Sequence, residues 1–460
     1  MIPCMIPDTS DGEFWAPGGN GSRVGGTLTM TEGSRAGVVL DRPVVDEAPP
    51  AVSTADSARD VAAFQPITIH GQLDSGVDVT LVNAQNYRPD GGQPRYEAHQ
   101  AVIGAHVSGP DQLYTAVRYQ LGHLLLGHLP VGVTSVVPDD GSKLSAEPAE
   151  DGEMWLVYEA ATPMTLRQLN MRVVSGCLVL LRLALDQPVA IRACQVRVDE
   201  GDPWLAIHSQ TYSAPTNLNL RRIVEPTELT LDQFAKWIAF NDELDGLAWP
   251  VGEPIRGAVQ ARAQVYTTLV EGLHRRMPYQ QSQFPAAKPT WFEKIRQAAR
   301  RAAKEWATET GNLDPDAVHT AVNNALTHFE AVGYADRATA LVEEVTAAVP
   351  EVTESVPDLV VQLTRARNEL SHHLIPDEGK EPLGDRVLRW AVMAEVAPWL
   401  LRVFLLLHAG IDPVVLRAGL LEHERFDVYR GNVAQMVADL GWTPPGPAED
   451  EPDDASAAQG

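Results

Sequence analysis

The chain is 460 residues long, 44% hydrophobic and 21% charged, with a formal net charge of −25. This length holds two domains or more, and the composition is that of an ordinary globular protein, which excludes a fibrous or wholly disordered chain. The acidic balance excludes a general nucleic-acid binder, which needs a basic surface to displace counterions; the three scattered cysteines, Cys4, Cys177 and Cys194, make neither a disulfide framework nor a metal-binding spacing.

Met1-Ile2-Pro3-Cys4 carries no basic region and no apolar core, so no signal peptide and a reducing, cytoplasmic setting are expected. Residues 1–225 read as β-rich. Short alternating or β-branched runs recur at Gly26 to Met30, Gly37 to Leu40, Pro66 to Gly71, Val77 to Val82, Leu113 to Leu121, Met154 to Ala160, Cys177 to Ala184 and Val189 to Val198. Clusters of Gly, Pro, Asp and Asn separate them, a spacing that predicts a sandwich or barrel-like domain. Val44 to Asp60 and Pro138 to Gly152, rich in Pro, Ala, Asp and Ser, are expected to be loose.

From residue 226 to 425 the period turns helical. Helices are predicted over Glu228 to Leu244, Ile255 to Met277, Thr290 to Thr308, Asp314 to Gly333, Ala335 to Val349 and Asp385 to His408, with one more between Pro357 and Pro376. Short links make this a bundle, so the fold class is multidomain α+β. The apolar run Val396 to Ile411 is interrupted by Pro398 and Arg402 and is too short to span a bilayer, so it predicts a buried helix and no membrane partner. Residues 426–460 form a C-terminal segment whose acidic end, from Pro444, is expected to be disordered. Two basic clusters stand out against the acidic background. Arg296, Arg300 and Lys304 share one helical face and are candidate RNA-binding residues, with a solvated face as the competing reading. Arg275 and Arg276 are the second cluster.

The helix before Pro376 carries the chemistry. Leu359, Leu363, Ala366, Leu370 and Leu374 form one apolar stripe. Pro357 is expected in the first turn, with Ser355 capping it. At about 100° per residue, Asn368 and His372 share a face roughly opposite the stripe, and Arg367 lies at the stripe's edge. His373 points nearer the core edge, so the histidine role falls to His372. A His can accept or donate a proton near neutral pH. An Arg can hold the charge that develops on a phosphorane with a planar fork of donors. Asn368 can orient either group or bind a phosphate oxygen.

The segment Arg367-Asn368-Glu369-Leu370-Ser371-His372 resembles the motif of the HEPN ribonucleases. Upstream, Gly12-Glu13-Phe14-Trp15-Ala16-Pro17, Gly26-Thr27-Leu28, Ile67-Thr68-Ile69-His70-Gly71, Val79-Thr80-Leu81 and Ile103-Gly104-Ala105-His106 follow the order and spacing of the N-terminal region of ApeA-like anti-phage proteins. Glu271-Gly272-Leu273-His274-Arg275 resembles the end of the first core helix in the HEPN family; His274 there reads as a second-site group or, more in keeping with a lone His near a helix end, as structural or exposed, and it is left out of the site. The resemblance implies a HEPN bundle over residues 226–425 that pairs with its own copy about a two-fold axis, bringing two motifs into one cleft. It implies cleavage of RNA by its own 2′-OH, with no metal and no cofactor, in abortive infection. A transfer RNA anticodon loop is the kind of substrate expected, and a phage-derived trigger the kind of partner. The departures are the long acidic or Pro-rich insertions and the doubled His. The alternative is a non-catalytic HEPN module that dimerises or binds nucleotide, beside a β-domain that binds a protein or ligand.

Overall fold

The structure is a computed structural model. It describes the chain except residues 1–7, 19–21, 45–65, 87–92, 123–125, 213–221, 254, 278–281, 285, 328, 373–380 and 443–460, and the side chains of Pro289 and His372. The expected loose stretch from residue 45 to 60, the acidic end from Pro444, His373 and Leu374 therefore lie outside the described residues.

The chain folds into two compact units, 1–253 with 406–423, and 254–405 with 424–460. This differs from the expected division at 225, 425 and the C-terminal segment.

In the first unit the strands are β1 (Thr9–Trp15), β2 (Val24–Thr29), β3 (Ala36–Leu40), β4 (Ile67–Leu73), β5 (Asp78–Asn86), β6 (Arg95–Ala98), β7 (Gln100–Ile103), β8 (Leu113–Leu121), β9 (Thr134–Val136), β10 (Lys143–Pro148) and β11 (Met154–Thr165). After helix α1 (Leu166–Leu185) come β12 (Ile191–Arg197) and β13 (Leu205–Ser209). The order β1-β2-β3-β6-β5-β4 closes on itself, because β4 pairs with both β1 and β5. The result is a six-stranded antiparallel barrel. From β5 the sheet continues through β7-β13-β12-β8-β11-β10-β9.

Alternation explains the barrel. Phe14, Leu28, Val38, Leu40, Ile69, Val79 and Leu81 point inward and are almost wholly buried. Gly71 sits in β4 because a Cβ there would come within 2.5 Å of the Phe14 ring.

Two expectations are corrected here. Cys177 to Ala184 is not a strand but the core of α1, which starts from a Thr165–Gln168 capping box and passes through a π-helical turn at Asn170–Val174. A continuous apolar run carries no period that separates a buried strand from a buried helix. Pro138 to Gly152 is not loose: it contains β10, which pairs on both sides with β9 and β11.

Helices α2 (Leu231–Glu243) and α3 (Trp249–Gly252) belong with the strands. Phe234, Trp237 and Ile238 of α2 are fully buried, and Trp237 Nε1 donates to the Gly176 carbonyl of α1 at 2.8 Å. That packing moves the unit boundary past residue 225. The returning segment 406–423 joins the same unit, where Gly419 lies so close to the Ile223 carbonyl that no Cβ fits.

The second unit is helical: α4 (Val259–Arg275), α5 (Pro289–Thr310), α6 (Pro315–Ala325), α7 (Tyr334–Ala348), α8 (Leu359–His372) and most of α9 (Leu383–His408). Helix α10 (Pro413–Glu422) lies in the first unit, and α11 (Glu424–Asp439) returns to the second. Within the second unit α8 packs against α4 and α7, and α5 pairs with α6. Trp399 meets Phe426 edge to face and Tyr429 at a tilt, and Tyr429 donates its hydroxyl to the Val352 carbonyl at 2.6 Å. Leu166–Leu185 and Leu383–His408 are long and apolar enough to cross a membrane by length and composition, and most of each is buried against protein.

Candidate functional site

Helix α8 presents the motif. Its apolar stripe is as expected: Leu359, Leu363, Ala366 and Leu370 are all buried. The helix starts at Leu359, two residues after Pro357, because Asp358 takes a left-handed conformation (φ 50°) while its carbonyl accepts from Val361 and Gln362. Pro357 is therefore outside the first turn, and Ser355 stands four residues before the helix, away from the cap position.

Asn368 is exposed, and Arg367 is partly buried at the stripe's edge. Arg367 Nη1 donates to Asn368 Oδ1 at 3.2 Å, and its Nη2 donates to Glu271 Oε2 of α4 at 3.1 Å. Its guanidinium lies 5.7 Å from the centroid of the Tyr334 ring of α7. Helix α8 extends to His372, which places that residue four positions after Asn368 on the same face; the imidazole itself lies outside the described residues.

Glu271 is the centre of this arrangement. Its Oε1 accepts from Arg275 Nε at 3.0 Å and from Arg275 Nη2, while its Oε2 takes Arg367. Burial pushes its carboxyl up, but the hydrogen bond and charge of Arg275, joined by Arg367, prevail and hold it below the usual carboxylate range. Burial, with the negative charge of Glu271, pushes the Tyr334 hydroxyl well up, and that hydroxyl donates to the Thr267 carbonyl at 3.0 Å. Behind them Arg337, 2% exposed, donates from Nε to the Val332 carbonyl and contacts His274 Nδ1 at 3.3 Å. Burial, reinforced by the neighbouring Arg275 charge, lowers the Arg337 pKa. His274 is itself 1% exposed, a buried contact of Arg337. Two guanidiniums thus pair with one carboxylate, with a third, Arg337, packed behind them, in a chain that is strongly acidic as a whole.

The opposite edge of α8 is tied to α9. Glu369 accepts from Arg389 Nη1 at 2.9 Å, Arg389 Nη2 at 3.1 Å, Trp390 Nε1 at 3.2 Å and Arg365 Nε at 3.1 Å. Glu381 joins the same cluster through Arg389 (2.7 Å) and Arg365 (3.0 Å). Burial pushes both carboxyls up, yet hydrogen bonds and charge from Arg389 leave both below their usual range. Arg389 is 1% exposed.

The expected basic face on α5 reads differently in three dimensions. Arg296, Arg300 and Lys304 do lie along one side of α5, but each is engaged. Arg296 pairs with Glu330 at 3.1 Å, Arg300 with Glu293 at 2.9 Å and Asn323 at 2.7 Å, and Lys304 with Asp316 at 2.6 Å. Arg300 and Lys304 brace the α5–α6 pair through Asn323 and Asp316, and Arg296 ties α5 to the segment after α6 through Glu330. None of the three is joined to Arg367 by a described contact. Glu271, Tyr334, Arg337 and Arg389 were not legible as site residues. The one signal was the Glu271-to-Arg275 segment, whose carboxylate faces a guanidinium 96 positions away.

No protein family, no curated protein and no solved structure matches the chain.

Proposed function

We propose that the chain is a metal-independent endoribonuclease of the HEPN type, resembling the ApeA-like anti-phage proteins, and that it cuts host RNA in abortive infection. One observation carries the reading. Arg367 is held at the edge of α8 by Glu271, beside Asn368 and on the helix that ends at His372, where several guanidiniums concentrate. In this reading one His accepts the 2′-OH proton as the 2′-oxygen attacks phosphorus. The P–O5′ bond breaks, and a second His protonates the leaving 5′-oxygen. Arg367 stabilises the phosphorane oxygens, leaving a 2′,3′-cyclic phosphate and a 5′-OH. Two histidines imply two copies of the motif, hence a homodimer with the site at its interface. A single-stranded loop such as a transfer RNA anticodon is the natural substrate, since its nucleotides can splay out.

The test is incubation of the purified protein with total cellular RNA in EDTA, with and without phage-infected lysate. Wild type yields new 2′,3′-cyclic phosphate ends, and Arg367→Ala or His372→Ala each lowers their rate by about 10²-fold or more. Full activity in either variant ends the assignment. A second reading, a non-catalytic HEPN module, is favoured by the engagement of Arg296, Arg300 and Lys304, the three candidate RNA-binding residues, with acidic and amide partners. It predicts no cleavage with or without phage-infected lysate and no growth defect on overexpression.

A further inference from the structure

A cavity of about 560 Å³ opens in the first unit between α1, the end of α2 and α3. That is the size of a small-molecule site. Met171, Val179, Trp249 and Pro250 give it apolar walls. Met171 belongs to the π-helical turn of α1 and stands at the mouth, 64% exposed. Arg182 stacks over the Trp249 ring at 4.8 Å and pairs with Glu253 at 2.8 Å, which fixes the indole in place.

Asn241 is the buried polar residue that lines this cavity. It lies in the last turn of α2 and is only 8% exposed. The space for it is made by Gly176, where a Cβ would come within 3.3 Å of Asn241 Nδ2. The Trp237 hydrogen bond to the Gly176 carbonyl holds the two helices at that spacing.

The electrostatics narrow the ligand. Arg172 serves three carboxylates at once, Asp242 (2.6 Å), Asp139 (2.6 Å) and Asp140 (3.1 Å), and Asp245 lines the cavity as well. The negative end of the α2 helix points the same way. An anion entering here meets surplus negative charge.

We propose that this cavity binds an uncharged or cationic planar heterocycle with an adjacent hydrogen-bond donor and acceptor, the chemistry of a nucleoside, and rejects its phosphorylated forms. The carboxamide supplies the complementary acceptor and donor, as Asn does toward a base edge. The Trp249 ring and the Met171 thioether supply flat and adaptable contact surface. The site is independent of any chemistry at Arg367.

The full-length protein is titrated by calorimetry with adenosine, guanosine and cytidine, and with each 5′-monophosphate. At least one nucleoside binds with a Kd below about 1 mM, and its monophosphate binds at least about tenfold more weakly. Asn241→Leu abolishes binding by removing the amide. Met171→Trp abolishes it by plugging the mouth from an exposed position that leaves the core untouched. Absence of nucleoside binding to wild type, binding undiminished in either variant, or equal affinity for the monophosphate overturns the proposal.

Discussion

Glu271 divides its two oxygens between two guanidiniums, Arg275 on Oε1 and Arg367 on Oε2. A carboxylate in that position fixes where the Arg367 fork points, and transition-state stabilisation by a guanidinium depends on that direction more than on its mere presence. Glu271 is therefore a positioning residue. In the ribonuclease reading, Glu271→Gln keeps size and shape, releases Arg367 from its ion pair and lowers the cleavage rate by about tenfold or more. If Glu271 only supports the fold, activity per folded molecule stays at the wild-type level. Its depressed pKa also has a consequence for stability. A carboxyl whose folded pKa is lowered contributes stability that is complete above the unfolded value, about 4.3, and is lost as pH falls through the folded value. Glu271, Glu369 and Glu381 all shift this way. The second unit accordingly loses stability below about pH 4. The difference in urea midpoint between pH 7 and pH 3.5 shrinks in Glu271→Gln, and an unchanged difference removes Glu271 from the acid response.

At the scale of elements, α8 is clamped on both edges, to α4 and α7 through Arg367 and to α9 through Glu369. Arg389 is the more consequential partner, being almost wholly buried between two carboxylates. Arg389→Met removes the only described guanidinium that reaches both Glu369 and Glu381 from α9. It leaves Glu369 and Glu381 with the half-exposed Arg365 as their shared counter-charge, at a cost of about 3 kcal/mol, the lower end for a broken buried pair. Chemical denaturation measures it; a loss under 1 kcal/mol, the size of an exposed pair, shows that the network is solvent-screened. The stripe of α8 was legible because one helix face has one period, and Leu359, Leu363, Ala366 and Leu370 keep it. The clamp was not, because Glu271, Glu381 and Arg389 come from other segments of the chain, and ion pairs between segments have no period. The same blindness made Arg296, Arg300 and Lys304 look like a free basic face, when Glu330, Asn323 and Asp316 meet them from outside α5. Strand β10 was hidden for another reason: its Lys and Glu residues face solvent, and Pro, Asp and Gly flank it, so its pairing with β9 and β11 supplies what propensity does not.

For the whole molecule, the ribonuclease reading makes one demand that a single chain does not meet. One α8 carries one Arg367 and one His372, whereas acid–base cleavage of a phosphodiester uses one histidine to take a proton and another to give one. A two-fold dimer supplies two of each to one cleft. A heterodimer of one wild-type chain and one His372→Ala chain, isolated by tandem tags after co-expression, then holds two arginines and a single histidine. Its cleavage should fall about 10²-fold, toward the level of the His372→Ala homodimer, because the shared cleft lacks either the base or the acid. A site complete within one chain gives the opposite result: the wild-type chain works alone, and the heterodimer keeps about half of the wild-type rate. The acidic charge of the chain sharpens the experiment. Generic RNA is repelled, so the rate that remains reports the local site and not loose association of the copies with one strand.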